Sequence, residues 1–217
     1  MNLRDACIIR IMDVILALIL LPAALLLFAI LSLPQLCVFR TIFYVSRRFG
    51  RGGRSFPYVK LKSMYDRECA VSTNPGGGRA YMEPDRIPPW GVFLRKTHLD
   101  ELPEIFFILL GAESFVGPRP LLAEHAALVD SPQRRRLKPG WTGFSQVFLK
   151  RRTILPSRIQ RRLDIRLGRE LCPALYLRLL AATAAGPSRR GVLKPGPTVR
   201  AYRASLGSPE GTSHESG

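Results

Sequence analysis

A chain of 217 residues with a formal charge of +17 is long enough to bury one real core, and it needs an anionic partner: nucleic acid, membrane phospholipid or a phosphorylated substrate. Its four cysteines (Cys7, Cys37, Cys69, Cys172) and three histidines (His98, His125, His214) are scattered, with no CxxC pair. That argues against a disulfide framework and a Cys/His metal centre and suits a reducing compartment.

The first element is an almost uncharged run, Val14 to Val38, long enough to cross a bilayer as a helix. Pro22 sits near its middle, where a proline removes a hydrogen bond and bends the helix. Both flanks are basic: Arg4 and Arg10 before, Arg40, Arg47, Arg48, Arg51 and Arg54 after. Because Lys and Arg favour the cytoplasmic side, a helix that enters, bends at Pro22 and returns to one face satisfies both ends. A single span stays open as the alternative; a signal peptide fits poorly in length and downstream charge.

Gly50, Gly52 and Gly53 form a turn before a strand-like stretch, Ser55 to Leu61, so a β-hairpin is expected. As a juxtamembrane segment it would set Arg48 on anionic lipid. Lys60 and Lys62 alternate onto one strand face and suit a phosphate equally well. Residues 72–90 are rich in Gly and Pro and read as loop. Arg95 and Lys96 then lead into Leu99-Asp100-Glu101-Leu102-Pro103, which places two adjacent carboxylates at the mouth of an apolar helix ending at Gly111. A capping box from Thr97 to Asp100 is the bland account of this stretch.

Next comes Val116-Gly117-Pro118-Arg119-Pro120, where flanking prolines restrict the backbone and fix the direction of a guanidinium fork, a favoured phosphate grip. A helix is predicted over Leu122 to Val129. The basic run Arg134-Arg135-Arg136-Leu137-Lys138 reads as phosphate or lipid contact, with Arg135 and Arg136 on the membrane side, and it enters a turn, Pro139 to Gly143. From Ile159 to Ala185 the pattern is an amphipathic, Arg-rich helix broken by Pro173, suited to the headgroup layer. The tail beyond Gly186 has the composition of disorder. The expected fold is mixed α/β and mainly helical: a membrane helix over 1–40, a domain over 41–186 with a small β-hairpin and interfacial helices, and a tail over 187–217.

In sequence these motifs run KxxSM, LRKTxLDELP, GPRP and RRRLKPGxTGxxQV, and together they resemble the bacterial initiating sugar transferases, small monotopic phosphoglycosyl transferases. The resemblance covers Asp5 to Thr183 and is most specific from Leu94 to Val147. It implies transfer of a sugar-1-phosphate from a UDP-sugar to polyprenyl (undecaprenyl) phosphate with Mg²⁺, at the cytoplasmic face of the bacterial inner membrane. It implies Asp100 as nucleophile and metal-side carboxylate, Glu101 as its acidic partner, Arg119 in the phosphate site and Pro22 at the re-entrant bend. Lys60, Lys62, Arg95 and Lys96 complete the expected charge clamp. An aspartyl phosphosugar would split one hard step into two, and with substrate phosphates present Mg²⁺ needs only one or two protein carboxylates.

The chain departs from the pattern at Leu21, Val45, Lys62, Glu104, Phe107, Leu110 and Ala112, and keeps only part of a DPRxT segment at Pro84-Asp85-Arg86-Ile87-Pro88. Two other classes compete: a non-catalytic membrane-bound glycan-assembly factor with the same fold, and a nucleic-acid-binding module. No helix-turn-helix, zinc or RNA-binding signature is present, so no nucleic acid partner is expected. The sugar and the oligomeric state stay open.

Overall fold

The computed structural model describes residues 2–66, 86–122, 130–148 and 157–185. The predicted helix over Leu122 to Val129 (beyond its first residue), most of the 72–90 loop and the tail after residue 186 lie outside them.

Helix α1 runs unbroken from Leu3 to Phe39, with Pro22 and Pro34 inside it and Asn2 capping its start through a bond from the Asp5 amide. Its buried residues, Ile9, Asp13, Ala17, Ala24, Leu31, Gln35 and Phe39, recur at steps of four and seven and make one stripe. The opposite face exposes Leu18, Ile19, Leu26, Ile30 and Leu33. An apolar surface of that extent marks a membrane or partner face, and α1 is long and apolar enough to cross a bilayer.

Both ends of the stripe are fastened to the rest of the chain. Near the start, the Arg10 guanidinium donates to the Ile108 carbonyl and, at 2.6 Å, to that of Leu109. Near the end, Gln35 donates to the carbonyls of Ile42 (3.2 Å) and Lys62 and accepts from the Trp90 indole at 2.9 Å. Between them Asp13 is 1% exposed, and its Oδ1 accepts from Ser114 Oγ (2.9 Å), the Phe115 amide (3.0 Å) and the Tyr176 hydroxyl (2.8 Å).

The expected hairpin is present. β1 (Phe43–Phe49) pairs antiparallel with β2 (Ser55–Leu61) around a 3-10 turn at Arg51–Gly53. Helix α2 (Pro89–Thr97) begins on Pro89 and ends at His98, whose φ is 62°. The 3-10 turn Leu99–Glu101 follows, and helix α3 (Glu104–Leu110) stops where Gly111, at φ 85°, returns its amide to the Phe107 and Ile108 carbonyls. The capping-box account of Asp100 does not form, because the Thr97 hydroxyl turns back to the Phe93 carbonyl at 2.8 Å.

β3 (Ser114–Val116) and β4 (Gly140–Thr142) form a short parallel pair, and between them α4 (Pro132–Arg135) is capped by Ser131. A Cβ on Gly117 would fall 2.2 Å from the Lys138 carbonyl oxygen, and one on Gly140 would fall 2.2 Å from the Gly117 amide. Only glycines let these two turns touch. α5 (Phe144–Phe148), α6 (Ser157–Glu170) and α7 (Pro173–Ala184) complete the described chain, with α7 restarting at Pro173 as the sequence predicts. The larger apolar cluster joins Ile9 and Ala17 of α1 to Ile105, Phe115, Leu167 and Leu179; a smaller one joins Leu31, Leu61 and Leu94.

Candidate functional site

Asp100 lies in the 3-10 turn between α2 and α3, 8% exposed, and its Oδ1 is buried without a hydrogen-bond partner among the described residues. Burial pushes its carboxyl above the usual carboxylate range, while Lys60 and Arg95 pull it back. The next residue, Glu101, is half-buried and held by Lys60, whose Nζ sits 2.6 Å from Oε1. Lys60 reaches there because it is the last but one residue of β2, on the hairpin face that packs against the turn.

That ammonium is shared. Glu104 Oε1 lies 3.5 Å from Lys60 Nζ and accepts a hydrogen bond from the Tyr58 hydroxyl. Tyr58 is two residues before Lys60, on the same strand face. Its ring lies 5.1 Å from both Lys60 Nζ and the Arg48 guanidinium carbon, so two cations flank one aromatic. Behind them Glu113 is 1% exposed, with neither carboxylate oxygen hydrogen-bonded among the described residues. Burial drives both carboxyls upward, with repulsion from Glu101 on Glu104 and from Glu104 on Glu113, against the pull of Lys60. Burial also raises the Tyr58 hydroxyl, with Glu104 and Glu101 adding to it, and lowers Arg48.

Of the residues expected in the charge clamp, Lys60 joins the carboxylates directly. Arg95 stands beside Asp100 electrostatically and donates to Ser63 Oγ at 2.9 Å. Arg119 projects from buried Pro118 and Pro120 into solvent, and its charge reaches both Glu104 and Arg48. The Arg119 carbonyl is held by Arg134, which also pairs with buried Asp164, and the Phe49 amide bonds Leu121 at 2.9 Å, tying this turn to the hairpin. Lys62 is engaged by Asp66, and Lys96 lies exposed at the end of α2. Arg48, read from sequence as a lipid contact, stacks on Tyr58 within the cluster. Arg135 pairs with Asp130, with Nε at 2.7 Å, and Arg136 is exposed.

Sequence reasoning missed Tyr58, Glu104, Glu113 and the inward role of Arg134. Two of these had a signal: Tyr58 alternates with Lys60, and Glu104 falls one helical turn after Glu101.

For a divalent cation the donor set is thin. Among the described residues no group of three or more His, Cys, Asp or Glu side chains is placed to hold a metal. The unpartnered Oδ1 of Asp100 fits one protein ligand to an ion whose other ligands are water and substrate phosphate.

One cavity lies beside Pro103, two residues beyond the acidic turn, and another opens at the turn itself. The first, about 340 Å³, is lined by Leu25 and Phe28 of α1, Phe43 and Val59 of the hairpin, and Pro103 and Phe106. The other, about 210 Å³, is lined by Glu101, His98, Trp141, Thr142, Leu180 and Thr183, among others.

Compared with known proteins, residues 4–188 match the model of a family described as bacterial sugar transferase. The UDP-glucose:undecaprenyl-phosphate glucose-1-phosphate transferase of Xanthomonas campestris pv. campestris is 40% identical over 111 residues, 49% of this chain and 22% of that protein. The undecaprenyl-phosphate galactose phosphotransferase of Salmonella typhimurium is 38% identical over 117 residues, 48% of this chain and 25% of that protein. The exopolysaccharide production protein ExoY of Sinorhizobium fredii is 34% identical over 120 residues, 49% of this chain and 53% of that protein. The matched stretches thus cover from about a fifth to half of these relatives.

Proposed function

Because the chain belongs to the bacterial sugar transferase family, we propose that it transfers a sugar-1-phosphate from a UDP-sugar to polyprenyl phosphate, releasing UMP, to start an exopolysaccharide, capsule or lipopolysaccharide glycan. The observation that carries this reading is Asp100: a buried carboxylate with an unpartnered oxygen, beside Lys60 and Arg95.

An Asp100 oxygen attacks the β-phosphorus of the donor. The bond from that phosphorus to the bridging oxygen breaks, and UMP leaves with the oxygen and its electron pair. The phosphosugar is then held on Asp100 as a mixed anhydride. A polyprenyl phosphate oxygen attacks the same phosphorus and returns the carboxylate, so no proton is gained or lost overall. Lys60, Arg95 and Arg119 offset charge on the diphosphate where it builds up. Glu101 keeps Lys60 within 2.6 Å of the turn. Asp100 would be the protein ligand to a Mg²⁺ ion, which when bound would supply further neutralisation of the diphosphate.

The lipid acceptor suits the all-apolar cavity beside Pro103, whose lining takes in Leu25 and Phe28 of the membrane helix. That helix favours the re-entrant arrangement, since Arg10 and Gln35 fasten its two ends to the same domain. The domain then sits on the cytoplasmic face of the inner membrane, where nucleotide sugars are made and anionic lipid meets its basic surface.

The test is UMP release by detergent-solubilised protein given UDP-sugars, Mg²⁺ and undecaprenyl phosphate. Turnover should require the lipid and fall at least about a thousandfold in Asp100→Asn with the thermal melt unchanged. Absence of UMP with every donor, in protein that copurifies with other glycan-assembly factors, would mark a non-catalytic assembly role.

A further inference from the structure

We infer that the cavity between Trp141 and Thr183 holds the sugar ring of the donor and sets which sugar is accepted, an inference that rests on the function proposed above. The chemistry fixes which part of the donor lies nearest the carboxylates. The sugar is bonded through one oxygen to the phosphorus under attack, whereas the uridine is one phosphate further away and departs opposite the nucleophile. The group beside the Asp100–Glu101 turn is therefore the sugar. The cavity beside Pro103 has no polar wall to offer a hydroxylated ring. The other begins at Glu101 itself.

Its lining has the mixture a sugar needs. Trp141 and Phe115 supply aromatic surface, held edge to face with ring centres 5.2 Å apart. Thr142 Oγ1 and Thr183 Oγ1 are 2.6 Å apart, and Thr183 also donates to the Leu179 carbonyl at 2.8 Å. With Thr183's proton on Leu179 and Thr142's on Thr183, this pair offers acceptor lone pairs, the complement of sugar hydroxyl donors. The Trp141 indole N–H is buried and has no acceptor among the described residues, so the ring meets the cavity as aromatic surface. At about 210 Å³ the space is below the roughly 300 Å³ at which pockets for whole drug-sized ligands begin, a size that suits one ring better than a whole nucleotide sugar. The wall is built by distant parts of the chain: the turn before α3, strand β4 and the last turn of α7.

Two measurements decide it. Tryptophan emission of the native chain should shift on adding UDP-glucose or UDP-galactose but not UDP, and Trp141→Phe, which leaves Trp90, should lose the shift. In the UMP assay, Thr183→Val should change the ratio of kcat/KM for UDP-glucose over UDP-galactose by about fivefold or more, the worth of one hydrogen bond read on a hydroxyl that differs between donors. Thermal melting of both variants separates a folding defect from a site effect. An equal emission shift with UDP, or no shift with either UDP-sugar, overturns the inference; so does a ratio unchanged within twofold. If the native chain turns over no donor, the proposed function fails instead, and the emission measurement alone decides whether sugar occupies this cavity.

Discussion

Replacing Glu104 by Gln removes a titrating group that interacts with Lys60, Glu101, Tyr58 and Arg119 and acts on Glu113. Burial, with repulsion from Glu101, raises its carboxyl from 4.5 to about 8. A carboxyl raised in this way adds stability that is whole below its unfolded value and is lost as pH climbs through the folded one. The native melt should therefore fall between about pH 5 and 8, and that of Glu104→Gln should fall less, by about 2–4 °C for each kcal/mol recovered. Activity should follow: as Glu104 ionises it competes with Glu101 for Lys60, so native kcat/KM declines above about pH 8 while the Gln variant keeps a plateau. Rates from pH 6 to 9.5 for both proteins check this. Asp100, Glu101 and Lys60 were legible because their spacing carries a local meaning: a turn before a helix, and alternate residues on a strand. Glu113 was not, since a carboxylate in an apolar run gives no sign of what it faces until chain folded from elsewhere surrounds it.

Among elements, the bond set around Asp13 joins α1, β3 and α7 at one oxygen. Asp13→Ala would leave three donors buried without an acceptor, at a cost of about 1–3 kcal/mol for each left unsatisfied. The melt in detergent should drop by roughly 10 °C on that account, and Tyr176→Phe should lower it by a smaller amount. Gly117→Ala tests the glycine contact: the added carbon meets the Lys138 carbonyl, so β3 and β4 must separate and Arg119 must move. UMP release should fall at least tenfold, read beside the melt. The hairpin and the restart at Pro173 were legible because glycine turns and prolines act locally. The parallel pair β3–β4 was not, since three-residue strands carry too little alternation to show and their pairing closes a loop of more than twenty residues. α1 passes unbroken through Pro22 because packing along its buried stripe outweighs one missing hydrogen bond.

For the molecule as a whole, the question is on which side of the bilayer the two ends of α1 lie. Cys7 and Cys37 are both exposed and sit near opposite ends of the helix. In the re-entrant arrangement, single-cysteine variants in inside-out vesicles should both react with a membrane-impermeant maleimide. A true span would protect one of them. The family and the mainly helical class were legible from motif order, whereas the fastening of α1 depends on contacts such as Arg10 to Leu109 that no local pattern announces.

The stripe on α1 also bears on attempts to make a water-soluble form by truncation. Ile9, Ala17 and Ala24 belong to the larger core and Leu31 to the smaller, so the helix is wall as well as anchor. Cutting the chain before Phe43 would strip both cores of one side and leave Ser114, the Phe115 amide and Tyr176 without their shared acceptor. Such a fragment should collect in inclusion bodies, while exchange of the outward Leu18, Ile19, Leu26 and Leu33 for polar residues should give soluble, folded protein.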